Sequence, residues 1–309
     1  MKMVFVFTYA TIALCSGPAT QADTFGSGAN AFDIDFAIIG NPGNAGDTTG
    51  DPSPAGKVDY AYRLGQFAVS EDMINKANHE AGLGLTHDNR GPNKPATSIS
   101  WFEAARFVNW LNTSTDHTPA YNFDSNGVFQ LWQPSDMGYN PSNRYRNSRA
   151  VYVLSTIDEW YKAAYYDPDK KIYYDYSTGS DSFPTAVARG TAHGTSVYSQ
   201  TFAQGPADVN LSGGLSPYGT MGQSGNIWEW NETALDSVND LPTKDRSVRG
   251  GNWNGRVFTI SSSDPGDDVP WSNDSRIGLR VASLVVPEST NAALALVALL
   301  LAVGRRGCR

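Results

Sequence analysis

Three glycine- and aromatic-rich segments follow one another in the last third of the chain: Gly225-Asn226-Ile227-Trp228-Glu229-Trp230, Arg249-Gly250-Gly251-Asn252-Trp253 and Ile277-Gly278-Leu279-Arg280-Val281. A series in this order constrains the fold more tightly than any helix or strand signal elsewhere. Bulky indoles must pack against a backbone that turns at glycine, where no Cβ stands in the way. With 30 Gly, 15 Tyr and 8 Trp in the whole sequence, the chain reads as a loop-rich domain packed on aromatic rings.

Of the 309 residues, the only cysteines are Cys15 and Cys308, one near each end. A domain between them has no internal disulfide, no thiolate metal site and no thiol nucleophile. The formal net charge of −8 argues against nucleic-acid binding, which needs a cationic face to displace counterions. Both ends read as processing signals. Lys2, the apolar run from Val4 to Cys15 and a small-residue stretch ending at Ala22 have the layout of a secretory signal peptide, residues 1–22. Residues 285–309 hold Pro287-Glu288, an apolar run from Ala292 to Val303 and a basic end at Arg305-Arg306. As a helix that run spans only about 18 Å, short of the roughly 30 Å of a hydrocarbon core, so it suits transient membrane contact. This arrangement resembles the PEP-CTERM sorting tail of exported bacterial proteins, with Ser289 where a second proline is usual. The resemblance implies an exosortase-type processing protease as partner and a destination at the envelope, the cell surface or outside the cell.

Between these ends, residues 23–284 read as one domain. Tyr60, Tyr62 and Leu64 alternate and Phe67 and Val69 resume out of phase, predicting a strand with a bulge at Gly65. Ser70 caps a short helix that has Glu71 and Asp72 in its first turn. Ser100 with Glu103, and Thr156 with Glu159, form two capping-box patterns that open helices over Trp101–Leu111 and from Ile157 towards Ala164. Past about residue 170 only short strands and turns are predicted, giving an α+β class.

Taken with Pro95–Phe107 and Leu154–Trp160, the three glycine segments resemble the formylglycine-generating enzyme (sulfatase-modifying factor) family over residues 33 to 284. The resemblance implies a C-type-lectin-like fold of that type, with little regular secondary structure. It also implies calcium held by the carbonyls of Gly225 and Ile227 and the carboxylate of Glu229, although Gly222 stands where a further acid or amide is expected. Asp208, in Ala207-Asp208-Val209, matches a ligand of a second calcium site whose partner acid has no counterpart here.

The family's chemistry follows its Arg-Gly-Gly step, where a serine and two copper-binding cysteines are placed. In this chain those positions hold Asn252, Gly255 and Ile260. Copper is therefore not expected, and neither is formylglycine-generating oxidase activity, because no oxygen ligand replaces a thiolate for a soft cofactor metal. What the resemblance leaves is a cleft floored by Trp228 and Trp253 and rimmed by Asn252 and Arg256, read as a peptide- or glycan-binding or structural module. The alternative is a non-haem iron oxidoreductase on the same cleft. It has little support, because His79, His87, His117 and His193 show no paired iron-ligand spacing. The tyrosines between Tyr161 and Tyr176 are candidates to line a carbohydrate groove.

Overall fold

A computed structural model describes residues 20–286. The sorting-tail reading lies outside them, as does most of the signal-peptide reading. The described part begins with strand β1 (Thr20–Phe25), which pairs antiparallel with β2 (Phe32–Ile39). Cleavage after Ala22 would leave Asp23, Thr24 and Phe25 of β1 in place. Asp23 is the structurally important one, because its carboxylate receives two hydrogen bonds from the buried Arg63.

The five-stranded sheet continues through β3 (Tyr62–Gly65) to the strands Val281–Ser283 and Tyr152–Leu154, antiparallel throughout. A second sheet of four strands runs Gly266–Asp268, Arg246–Arg249, Trp228–Ala234, Ile277–Gly278. Its last pair is parallel. All three glycine segments therefore meet in or beside one sheet. The predicted strand around Gly65 is shorter than expected: β3 stops at Gly65, and all four of its residues are buried. Gly65 sits so close to the carbonyls of Phe67 and Val281 that the chain turns away there instead of bulging and continuing.

Three α-helices start where the caps place them. Helix α1 (Glu71–Ala81) has the Ser70 hydroxyl accepting from the Met73 N–H, and Gly82 ends it in the left-handed region. Helices α2 (Trp101–Thr113) and α3 (Ile157–Tyr165) each open with both bonds of a capping box. On α2, Trp101, Ala104, Ala105, Phe107, Val108 and Leu111 are fully buried. Trp101 meets Tyr121 and Phe129 edge-on at 5.3 and 5.0 Å between ring centres. Among the described residues no helix is long and apolar enough to cross a membrane.

With no disulfide available, buried ion pairs tie distant segments together. Arg146 bridges Glu159 and Glu232, both fully buried. Burial by itself would raise the Glu159 carboxyl, but the Arg146 guanidinium holds it below the usual range. Arg280 donates to both oxygens of Glu229 and to the carbonyls of Gly65, Gln66 and Met221. On α3, Lys162 is buried with its Nζ donating to the Asn41 carbonyl, and burial pulls its pKa down to about 8 against a smaller upward pull from Asp59.

Candidate functional site

The glycine segments are tied together by the Glu229–Arg280 ion pair and anchored to the rest of the domain by indole hydrogen bonds. Trp230 Nε1 donates to the Ile99 carbonyl, Trp160 Nε1 to Glu229, and Trp253 Nε1 to the Phe202 carbonyl. Gly225 adopts φ +112°, and a Cβ there would collide with the Val197 carbonyl. Gly278 lies so near the backbone of Ala96 that a Cβ would come within 2.5 Å of its oxygen. Both glycines are therefore fixed by close approach between chain segments.

Glu229 stands in a buried ion pair, a setting different from the calcium ligation that the family resemblance implies for it. Arg280 holds both of its oxygens, at 2.8 and 2.6 Å, and Trp160 donates to one of them at 2.6 Å. The guanidinium also lies beside Gly222, the position lacking the expected acid. A divalent cation there would face an arginine at close range. The Gly225 carbonyl accepts from the Ile227 N–H, and Ile227 is buried with Trp253, Val197 and Ala207. Asp208 faces Lys94 Nζ at 2.9 Å.

The expected cleft is not assembled as foreseen. Trp228 is half-buried over Gly266 at the edge of the main core, whereas Trp253 is fully buried in a separate small cluster. The two indoles therefore do not floor one groove. Asn252 is buried, its Oδ1 accepting from the Asn254 N–H, while Arg256 is exposed. Gly255 is tightly covered, with the Thr259 hydroxyl 2.5 Å from where a Cβ would stand. Ile260 is fully buried against Tyr176, Tyr198 and Val257. Of the two positions read as the family's cysteines, Ile260 thus forms an apolar plug, while half-buried Gly255 leaves the other without a side chain.

Around this plug the structure places three phenylalanines that the sequence reading missed. Phe183, Phe202 and Phe258 are 72%, 57% and 55% exposed. Phe183 packs on Tyr176, Phe202 leans on Trp253 at 5.7 Å, and Phe258 lies in the short turn of 3₁₀ helix that carries Ile260. Arg90 stacks on the Trp253 ring at 4.9 Å. The signal was weak: each phenylalanine is a lone aromatic in a polar or glycine-rich loop, with no periodicity to mark it. The tyrosines read as groove lining are largely core, since Tyr161, Tyr165, Tyr166 and Tyr176 are buried.

The histidines fall in unrelated settings. His87 lies 3.6 Å from Glu71 and 2.9 Å from Asn75, and His117 packs beside Tyr152. Among the described residues no group of three His, Cys, Asp or Glu is placed to hold a metal. Elsewhere on the domain are a concavity of about 620 Å³, lined by residues including Asn41, Asp47, Tyr166 and Tyr173, and two more. One, of about 610 Å³, is lined by Tyr60, Asn143, Arg146, Asp158 and Asn239 among others. The other, of about 520 Å³, is lined by residues including Arg106 and Trp271.

Two packed sheets with three short helices, joined by long ordered loops, define a formylglycine-generating-enzyme-like fold. The family model for the sulfatase-modifying factor enzyme 1-like domain matches residues 48–285, and the chain belongs to that family. Similar solved structures include Treponema denticola variable protein 1, at 16% identity and TM-score 0.59, covering 87% of this chain and all of that one. CarF is similar at 19% identity and TM-score 0.56, covering 82% of this chain and 99% of its own. PvdO from Pseudomonas aeruginosa is similar at 13% identity and TM-score 0.54, over 88% of this chain and 100% of its own. At these identities the likeness is one of fold. No match was found among curated proteins.

Proposed function

We propose that this chain is an exported binding module: a formylglycine-generating-enzyme-like domain without that enzyme's chemistry, delivered by a signal peptide and sorted by an exosortase-type protease acting on its tail. The observation that carries the reading is the apolar plug. Ile260 fills one family cysteine position with a fully buried side chain, and Gly255 fills the other with none. An aromatic face surrounds that plug, in the region where the family engages its substrate. Exposed aromatic rings grouped in this way are a recurrent feature of surfaces that take a peptide or glycan.

Two measurements test the reading. Incubated with copper and a sulfatase-motif peptide, the protein should leave the peptide's cysteine intact; an aldehyde product would sink the proposal. On peptide and glycan arrays, a Phe202→Ser, Phe258→Ser double variant should lose about tenfold or more of the wild-type signal, because two exposed rings are removed without disturbing the core. Equal capture by both proteins would show that this face binds nothing. Stoichiometric iron in the purified protein would instead favour the oxidoreductase alternative.

A further inference from the structure

The 520 Å³ concavity differs from the 610 Å³ one in its charge state. In the larger concavity Arg146 is fully engaged, donating to Glu159, Glu232 and the Leu154 carbonyl. In the smaller one the cation is Arg106, on the solvent side of α2. Among the described residues it has neither a salt-bridge nor a hydrogen-bond partner, and its Nε is buried with no acceptor. The neighbouring acid forms no ion pair with it. Glu103 accepts from the N–H and hydroxyl of both Ser100 and Thr86, and from Asn273 Nδ2.

A second guanidinium lies behind the floor. Arg246 is fully buried, stacked on Trp101 and Tyr145 and 6.0 Å from the Phe129 ring that lines the concavity. Its hydrogen bonds go to the carbonyls of Pro242 and Lys244, and among the described residues no carboxylate pairs with it. Arg106 is therefore the one cation lining this opening, and it is unpaired on a protein whose net charge is −8. In a partly desolvated recess such a field is strong enough to select an anion.

The rest of the lining defines the anion's shape. Trp271 is 55% exposed beside Arg106, and Phe102 and Val128 extend the apolar wall. Asn273 spends its Nδ2 on Thr86, Ser98 and Glu103, which leaves its Oδ1 as an acceptor, and both Asn273 and Thr243 line the concavity. A flat indole, a guanidinium fork, a hydroxyl and an amide oxygen together match a ring with hydroxyls on its edge and a carboxylate at one corner. The volume lies within the ordinary range for small-ligand sites.

We propose that this concavity binds an acidic saccharide, a uronate unit whose ring stacks on Trp271 while its carboxylate takes a bidentate pair of bonds from Arg106. The site shares no lining residue with the aromatic face around Ile260, so it stands whether or not that face binds a ligand.

The probe is trigalacturonate, titrated by calorimetry into the full-length protein. A Kd on the order of 0.1–1 mM is expected, as for a shallow site with one charged contact. Its methyl ester and a glutamate tripeptide serve as controls. Arg106→Gln and Trp271→Ala should each weaken binding about tenfold or more with melting temperatures close to wild type, since Trp271 is exposed and Arg106 holds no hydrogen bond or ion pair among the described residues. Arg256→Gln, on the other face, should leave it unchanged. The proposal is overturned if trigalacturonate fails to bind. It is equally overturned if Arg106→Gln binds like wild type, or if the methyl ester or the glutamate tripeptide binds as tightly as the uronate.

Discussion

At the scale of single residues, two of the glycine segments are held to each other by charge. Glu229 and Arg280 belong to two different segments, and each is about 1% exposed on its side chain. Removing one charge leaves the other buried and unpaired, at a cost of about 3–5 kcal/mol. Glu229→Gln should therefore lower the urea midpoint by that equivalent with an unchanged slope. Wild-type melting should be the same in calcium and in chelator, because Arg280 already supplies the positive charge that Glu229 faces. A calcium-dependent rise in melting temperature would restore the ligand reading of Glu229.

The helices show how far local rules reach at the scale of elements. Ser100 and Thr156 each satisfy an N–H three residues ahead, while Glu103 and Glu159 reach back to the cap. These bonds span three residues and were legible from spacing alone. The same glutamates carry longer-range duties that spacing does not reveal. Glu103 gathers Thr86 and Asn273, and Glu159 receives Arg146. The capping hydroxyls are therefore the cleaner test. Thr156→Ala should cost about 1 kcal/mol, the usual value of a lost N-cap, read by chemical denaturation. Glu159→Gln should cost more than that, since it also removes one of the two carboxylates that hold the buried Arg146 guanidinium.

The whole molecule has a pH response set by what it buries. Lys162, with its pKa pulled down to about 8, loses its proton on the folded protein before the unfolded chain does. Between about pH 8 and 9 the unfolded state binds the extra proton, so stability rises with pH. Above about pH 9 the sign reverses. Unfolded tyrosines begin to ionise there, while the many buried ones keep their protons, as with Tyr145, which burial pushes up to about 12. Denaturation midpoints across this range should pass through a maximum near about pH 9. Lys162→Met should remove the rising limb and keep the fall; a profile unchanged by the substitution would refute this assignment.

The sequence by itself determined the family, the starts of the helices and which residues stand where the resemblance places the family's cysteines. Each of these rests on residue identity at fixed spacing: a cap three residues from its glutamate, a glycine between indoles, an isoleucine where a thiolate is required. Tertiary structure decided which charges meet and which aromatics reach solvent. Arg280 and Glu229 are 51 residues apart in the chain, and Trp160 and Glu229 are 69 apart. Long loops leave such pairings undetermined until the sheets assemble. The same assembly buried Trp253 and the tyrosines expected in a groove, and left Phe183, Phe202, Phe258 and Trp271 at the surface. Burial depends on which segments close over a side chain, and a loop-rich sequence without periodicity does not encode that locally.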